Sequence, residues 1–206
     1  MFAILRAPAA TAVSPQWRLP FHPMHSPASL HAVRRLGPIG VLMAVALTAC
    51  YPTFNWRELR PEGTPLQALL PCKPETAERS VPLGGAPTVL HMHSCKAGGL
   101  TFALAWANAP DATAAPATLS DWQRASLAAI RVDPVLHTDP AHRWSATVAG
   151  ATLVQGITAQ GTDPQGQVVQ ARTVYFARDA QVFQAAIYGP ASDEVSATFF
   201  GGLKLP

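Results

Sequence analysis

Two arginines, Arg34 and Arg35, stand before an apolar run that ends at a cysteine: LGPIGVLMAVALTAC, residues 36–50. This stretch decides which residues remain to fold and in what redox surroundings. Its apolar part, residues 36–49, is broken by Gly37, Pro38 and Gly40. A membrane-spanning helix needs roughly 20 apolar residues, so the run is too short to span and fits the apolar region of a secretory signal peptide. The arginines supply its positive flank. Residues 1–33 are rich in Pro, Ala, Ser and His and show no sustained period. Met24 would begin a signal of ordinary length, so residues 1–23 read as a dispensable extension.

The charge balance follows the same boundary. The chain carries 15 Lys and Arg against 12 Asp and Glu, a formal net charge of +3. Arg6, Arg18, Arg34 and Arg35 precede Cys50, and every acidic residue follows it. From Cys50 onward the balance is therefore close to neutral. A nucleic-acid partner is not expected, since that requires Lys and Arg clustered on the folded domain. The residues after Cys50 suffice for one hydrophobic core.

The run closes on Leu47-Thr48-Ala49-Cys50. This resembles the lipobox of bacterial lipoproteins. The resemblance implies lipid transfer to the Cys50 sulfur, cleavage between Ala49 and Cys50, and acylation of the new amine. One acyl chain gives only marginal membrane binding, whereas two or more anchor stably. The expected product is a lipid-anchored envelope protein facing the periplasm. Tyr51 stands where an Asp would favour the inner membrane, so the outer membrane is expected. Residues 50–65 read as a lipidated tether and residues 66–206 as a single folded domain. Within the tether, Phe54 and Trp56 alternate with Asn55 and Arg57, which suits a first strand or an extended linker.

Further along, residues 88–94, TVLHMHS, alternate in the period-two pattern of a strand with two faces. Residues 100–107, LTFALAWA, are apolar and β-prone, and Gly98-Gly99 supplies the turn of a hairpin. Ser120 with Gln123 three residues on makes a capping box, which predicts a helix over residues 121–131. Lys73, Glu75 and Glu78 suggest a loop, followed by a strand over 79–83. Strands are also expected at 143–148, 153–160, 168–177 and 182–188, the last three forming a meander. Ser192, followed by Asp193 and Glu194, predicts a second capped helix. Residues 203–205 read as a terminal strand. Runs of strands with helices segregated to one face give an α+β domain, an antiparallel sheet with two helices packed on it.

The ending resembles the PsbP-like fold. The residues that carry the likeness are Val174-Tyr175-Phe176, the strand VFQAAIYGP at 182–190, the pair Phe199-Phe200 and the closing GLKL at 202–205. Leu69-Leu70-Pro71 upstream also fits. The resemblance implies adaptor or assembly roles more than catalysis, and it carries no catalytic signature.

If Cys50 is acylated, Cys72 and Cys95 remain. An even pair in an oxidising compartment forms a disulfide by default; two buried thiols are the other reading. His91, His93 and Cys95 fall at alternate positions of one strand and so share a face. Such a set could hold zinc or copper. With Cys95 in a disulfide, two histidines remain, which suits a solvent-facing pair as well as a weak metal site open to completion by His137 or His142. Trp56, Trp106, Trp122 and Trp144 read as core or edge packing. Gln155, Gln160, Gln167, Gln170 and Gln184 suggest one solvated sheet face or a partner surface. Serine-hydrolase elbows, phosphate loops, zinc-protease helices and CxxC pairs are absent from the sequence. No cofactor is called for. The expected function is a non-catalytic interaction or assembly module working with other envelope proteins, with ligand or metal binding at His91 and His93 as the alternative.

Overall fold

Strand β5 (Leu100–Asn108) is apolar on both of its faces. Phe102, Leu104 and Trp106 point one way and Ala105 and Ala107 the other, and all five are buried. Strand β9 (Gln181–Tyr188) repeats the pattern, with Phe183, Ala185 and Ile187 opposed to Val182 and Ala186. A strand buried on both sides needs a covering layer on each side. The structure, a computed structural model, describes residues 52–206. The expectations that concern Ala49, Cys50, the signal segment 1–49 and the extension 1–23 lie outside the described residues.

The remaining strands and α-helices are β1 (Arg57–Leu59), β2 (Ala68–Leu70), β3 (Glu75–Leu83), β4 (Ala86–Ala97), α1 (Ala115–Ala129), β6 (Arg143–Trp144), β7 (Leu153–Thr162), β8 (Val168–Arg178) and α2 (Asp193–Gly201). Seven strands form one sheet in the order β3-β4-β5-β9-β8-β7-β6, and every pairing is antiparallel. Strands β1 and β2 make a separate two-stranded ribbon. The fold class is therefore α+β, as the sequence predicts, and the hairpin and the meander form where expected.

Placement of the helices differs from the sequence expectation. They lie on opposite faces of the sheet, not on one. On the first face, Leu119, Trp122 and Leu127 of α1 pack over Ala105, Ala107, Tyr175, Ala177 and Val182. The alanines leave room for the helix backbone to approach. On the second face, Phe199 and Phe200 of α2, Ala68 and Leu70 of the ribbon, and Leu203 and Leu205 cover Phe102, Leu104, Phe183 and Ile187. Phe102 is the hub there: its ring meets Phe54, Trp56 and Phe199 edge-on at 6.1, 5.9 and 5.3 Å.

Other boundaries move for local reasons. Helix α1 starts at Ala115, ahead of Ser120, because Asp111 Oδ1 accepts from the backbone N–H of Thr113 and Ala114 and Pro116 occupies the first turn. Gln123, the other half of the expected capping box, is buried instead. Glu75 and Glu78, read as loop, lie in β3, an edge strand exposed along most of its length, where charged side chains are tolerated. Gln155 and Gln184 do not belong to a solvated face. Gln184 lies under α1 and donates to Tyr175 Oη at 2.9 Å and Ser126 Oγ at 3.1 Å. Burial pushes the Tyr175 phenol above its usual pKa. Ser192 caps α2 through Val195 N–H, as expected. The tail is pinned by paired hydrogen bonds between Lys204 and Gln67 and by Leu205 N–H to Ala149 O at 2.8 Å. Phe54 and Trp56, inside the segment read as a tether, pack against the second-face core.

Cys72 and Cys95 are joined by a disulfide. It ties the end of the ribbon to β4. With a sequence separation of 23 between the cysteines, the loop-entropy model gives it about 3 kcal/mol. Replacing both by alanine should lower the unfolding free energy by about that amount in urea titration. Phe102→Ala should cost about 3–5 kcal/mol, the range for deleting a fully buried aromatic ring. A change below about 1 kcal/mol would show that the Phe102 cluster is not central to the core.

Candidate functional site

The site begins with the Gly98-Gly99 turn. Both glycines adopt positive φ, 59° and 75°, which a two-residue hairpin turn of this hand requires. That turn fixes the register between β4 and β5, setting His91 opposite Trp106 and His93 opposite Leu104. His91 and His93 share one face of β4, as the alternation predicts. The face is that of the Phe102 core, but the cover given by α2 and the ribbon does not extend over these two residues. Both are half-buried.

The indole of Trp106 is the floor. His91 stacks on it with ring centroids 5.3 Å apart and planes 13° apart, and His93 meets it edge-on at 5.0 Å. Strand β3 forms one side, with Glu78 opposite His91 and Thr76 opposite His93. Residues 60–63, following β1, form the other side, held where Gly63 O accepts from Gln181 Nε2 at 2.9 Å. The result is an open cleft of about 830 Å³ whose polar lining includes Arg60, Glu62, Glu78, His91 and His93.

The two histidines differ in their contacts. His91 Nδ1 lies 2.9 Å from Glu78 Oε1. A carboxylate only accepts, so Nδ1 is the donor in this contact and Nε2 is the nitrogen left without a partner there. This second contact orients the ring in the way metal-binding histidines are oriented. His93 Nδ1 is buried without a hydrogen-bond partner. Burial, then the charge of neighbouring His91, lowers the His93 pKa from its ordinary 6.5. The shift favours the neutral form of His93, the form that coordinates a cation or accepts a proton.

Cys95 is occupied by the disulfide, so the three-residue set expected on this face reduces to His91 and His93. Among the described residues, no group of three or more His, Cys, Asp or Glu side chains is arranged to hold a metal ion. His137 and His142 do not complete a site here. His137 bonds Ser120 and Pro134, and His142 Nδ1 faces Thr158 O at 3.2 Å. The tryptophans do not gather either. Trp122 is buried between α1 and the sheet, Trp56 joins Phe54, and Trp144 packs on Phe200 with Arg172 4.5 Å above its ring. Sequence reading missed two parts of the cleft, Glu78 and the 60–63 wall. The Gly84-Gly85 turn was the available signal for Glu78, since pairing outward from it sets Glu78 opposite His91. The hairpin turn alone would have placed Trp106 beneath the histidines.

The lowered His93 value sets a pH dependence. Between pH 6.5 and the lower value in the fold, the unfolded chain binds a proton that the native chain does not. Stability therefore falls as pH drops through that window. Urea midpoints measured from about pH 7 downward should decrease, and His93→Gln should flatten that slope relative to the unsubstituted chain. Equal slopes would assign the effect to other groups.

No family model matches the chain, and neither a curated protein nor a solved structure matches it. The cleft is read from its own residues.

Proposed function

We propose that this protein is a lipoprotein of the bacterial cell envelope, anchored through Cys50, whose α+β domain presents a non-catalytic interaction and assembly surface at the cleft over Trp106. In this reading residues 1–49 are removed as a signal peptide and the domain faces the periplasm from the outer membrane. The cleft over Trp106 is the surface that receives an envelope partner or ligand. The observation that carries the binding role is the composition of that cleft. It joins aromatic floor, neutral histidine and charges of both signs in an open depression. Mixed apolar and polar groups of this kind fix orientation and contribute specificity. No nucleophile–base pair occurs among its lining residues.

Support for the anchor comes from the order Arg34-Arg35, apolar run, Leu47-Thr48-Ala49-Cys50. Support for a PsbP-like fold comes from the β8–β9 hairpin, the Ser192-capped helix bearing Phe199-Phe200 and the pinned GLKL tail, in that order. An adaptor role agrees with that likeness.

Fractionation and mass spectrometry of the full chain test the anchor. The expected product lacks residues 1–49, carries acyl mass on Cys50 and sediments with membranes, and Cys50→Ala abolishes all three. Unchanged mass and membrane fraction in the variant would overturn it. Site-directed photo-crosslinking from the cleft tests the binding role: a specific envelope adduct should be lost in His91→Ala/His93→Ala, and adducts indifferent to that change would count against it.

One observation favours a second reading, metal handling by His91 and His93: the Glu78 contact leaves His91 Nε2 free beside a neutral His93. Calorimetric titration with copper or zinc decides it. Micromolar or tighter binding that the double alanine variant loses supports this reading, and absence of binding removes it.

A further inference from the structure

A second arrangement lies on the other face of the sheet, at α1, and does not depend on the anchor or on the histidine cleft. Ser120 and His137 are 17 residues apart in sequence, and the fold brings them together. His137 ends a short 3-10 turn, Pro134–His137, which Asp133 caps by accepting from Val135 N–H at 3.0 Å. Leu136 of this turn packs against the core beneath α1. The imidazole is thereby held at both nitrogens. Nδ1 is 2.9 Å from Pro134 O and Nε2 is 3.2 Å from Ser120 Oγ.

These two contacts determine the tautomer. A backbone carbonyl only accepts, so Nδ1 carries the proton, and Nε2 offers its lone pair to the Ser120 hydroxyl. A serine bonded to a base that a third group orients is the arrangement that activates a nucleophile. Here the third group is a carbonyl in place of a carboxylate. Ser120 and His137 are both only half-buried, and they line a cavity of about 180 Å³ together with Arg143, Gln123 and Gln155. Gln123, 1% exposed, donates from Nε2 to Gln155 Oε1 at 2.6 Å. With its oxygen occupied, Gln155 has its amide N–H groups as donors for the cavity. Arg143 adds a positive charge at the same cavity.

We propose that Ser120 and His137 form a nucleophile–base pair that hydrolyses short-chain carboxylic esters, with Gln155 and Arg143 stabilising the oxyanion. Ser120 Oγ attacks the ester carbonyl carbon as His137 Nε2 takes the hydroxyl proton. The tetrahedral oxyanion collapses, the carbon–oxygen bond to the alcohol breaks, and the alcohol leaves with the proton from Nε2. Water, deprotonated by the same nitrogen, then attacks the acyl-serine and releases the carboxylic acid product, and the proton returns to Ser120. The cavity is smaller than the ~300 Å³ at which drug-sized pockets begin, which selects a small acyl group.

The test uses the purified full chain in detergent with a fluorophosphonate probe and p-nitrophenyl acetate. Peptide mass spectrometry should place a single phosphonyl adduct on Ser120. Turnover should fall by about 10²-fold or more in Ser120→Ala and in His137→Gln, the usual contribution of a positioned general base. Ser120→Cys, nearly isosteric, covers the case in which alanine perturbs folding. Its thiol should react with iodoacetamide about tenfold faster than in Ser120→Cys/His137→Gln, as a lowered thiol pKa requires. No adduct on Ser120, turnover equal in wild type and Ser120→Ala, or equal alkylation rates in the two cysteine variants would each overturn the proposal and leave the Ser120–His137 bond as a strut between α1 and the turn.

Discussion

The structure depends on burying both faces of β5 and β9. Each face asks for a different partner. The alanine-lined face admits a helix close to the sheet, and α1 with Leu119, Trp122 and Leu127 supplies it. The phenylalanine-lined face is bulky and needs a mosaic of smaller pieces: α2, the β1–β2 ribbon and the pinned tail. Size asymmetry between the two faces thus sets where each helix goes. It also creates the cleft, because the mosaic covers Phe102 fully but leaves the histidines over Trp106 only half covered.

Much of this was legible in residues that act locally. Gly98-Gly99 specifies the hairpin, and the alternation of His91 and His93 specifies a shared face. Ser192 with two acids specifies the cap of α2. What escaped reading depends on contacts distant in sequence or on competing local signals. The Ser120 signal sets the helix start too late, because Asp111 and Pro116 together start the helix at Ala115. Glu75 and Glu78 suggest a loop only if an edge strand's tolerance of charge is overlooked. The 60–63 wall and the Ser120–His137 contact are tertiary facts, which no spacing rule reaches. The assignment of helices to faces was the largest difference, and the contrast of Ala105 and Ala107 with Phe102 and Leu104 was its unread signal.

The disulfide and the cleft are linked through one strand. Cys95 sits two residues beyond His93 on the same face of β4, so the covalent tie to Cys72 fixes the strand that carries both histidines. A site built on a paired strand, crosslinked nearby, is held more tightly than one on a free loop. Stability and binding therefore draw on the same piece of β4. Loosening the ribbon by breaking the crosslink would be felt at the imidazoles as well as in the core.

Phe54 has a consequence for geometry at a membrane. Its ring is packed against Trp56 and Phe102, four positions after Cys50. A fully extended chain gains at most about 3.6 Å per residue, so those four steps reach about 14 Å. Under the proposed lipid attachment, that reach is about a third of the ~40–45 Å thickness of the whole bilayer. The domain would rest against the bilayer with little freedom to turn, unlike a protein on a long leash. Which of its surfaces can meet a partner would then be decided by orientation as much as by affinity.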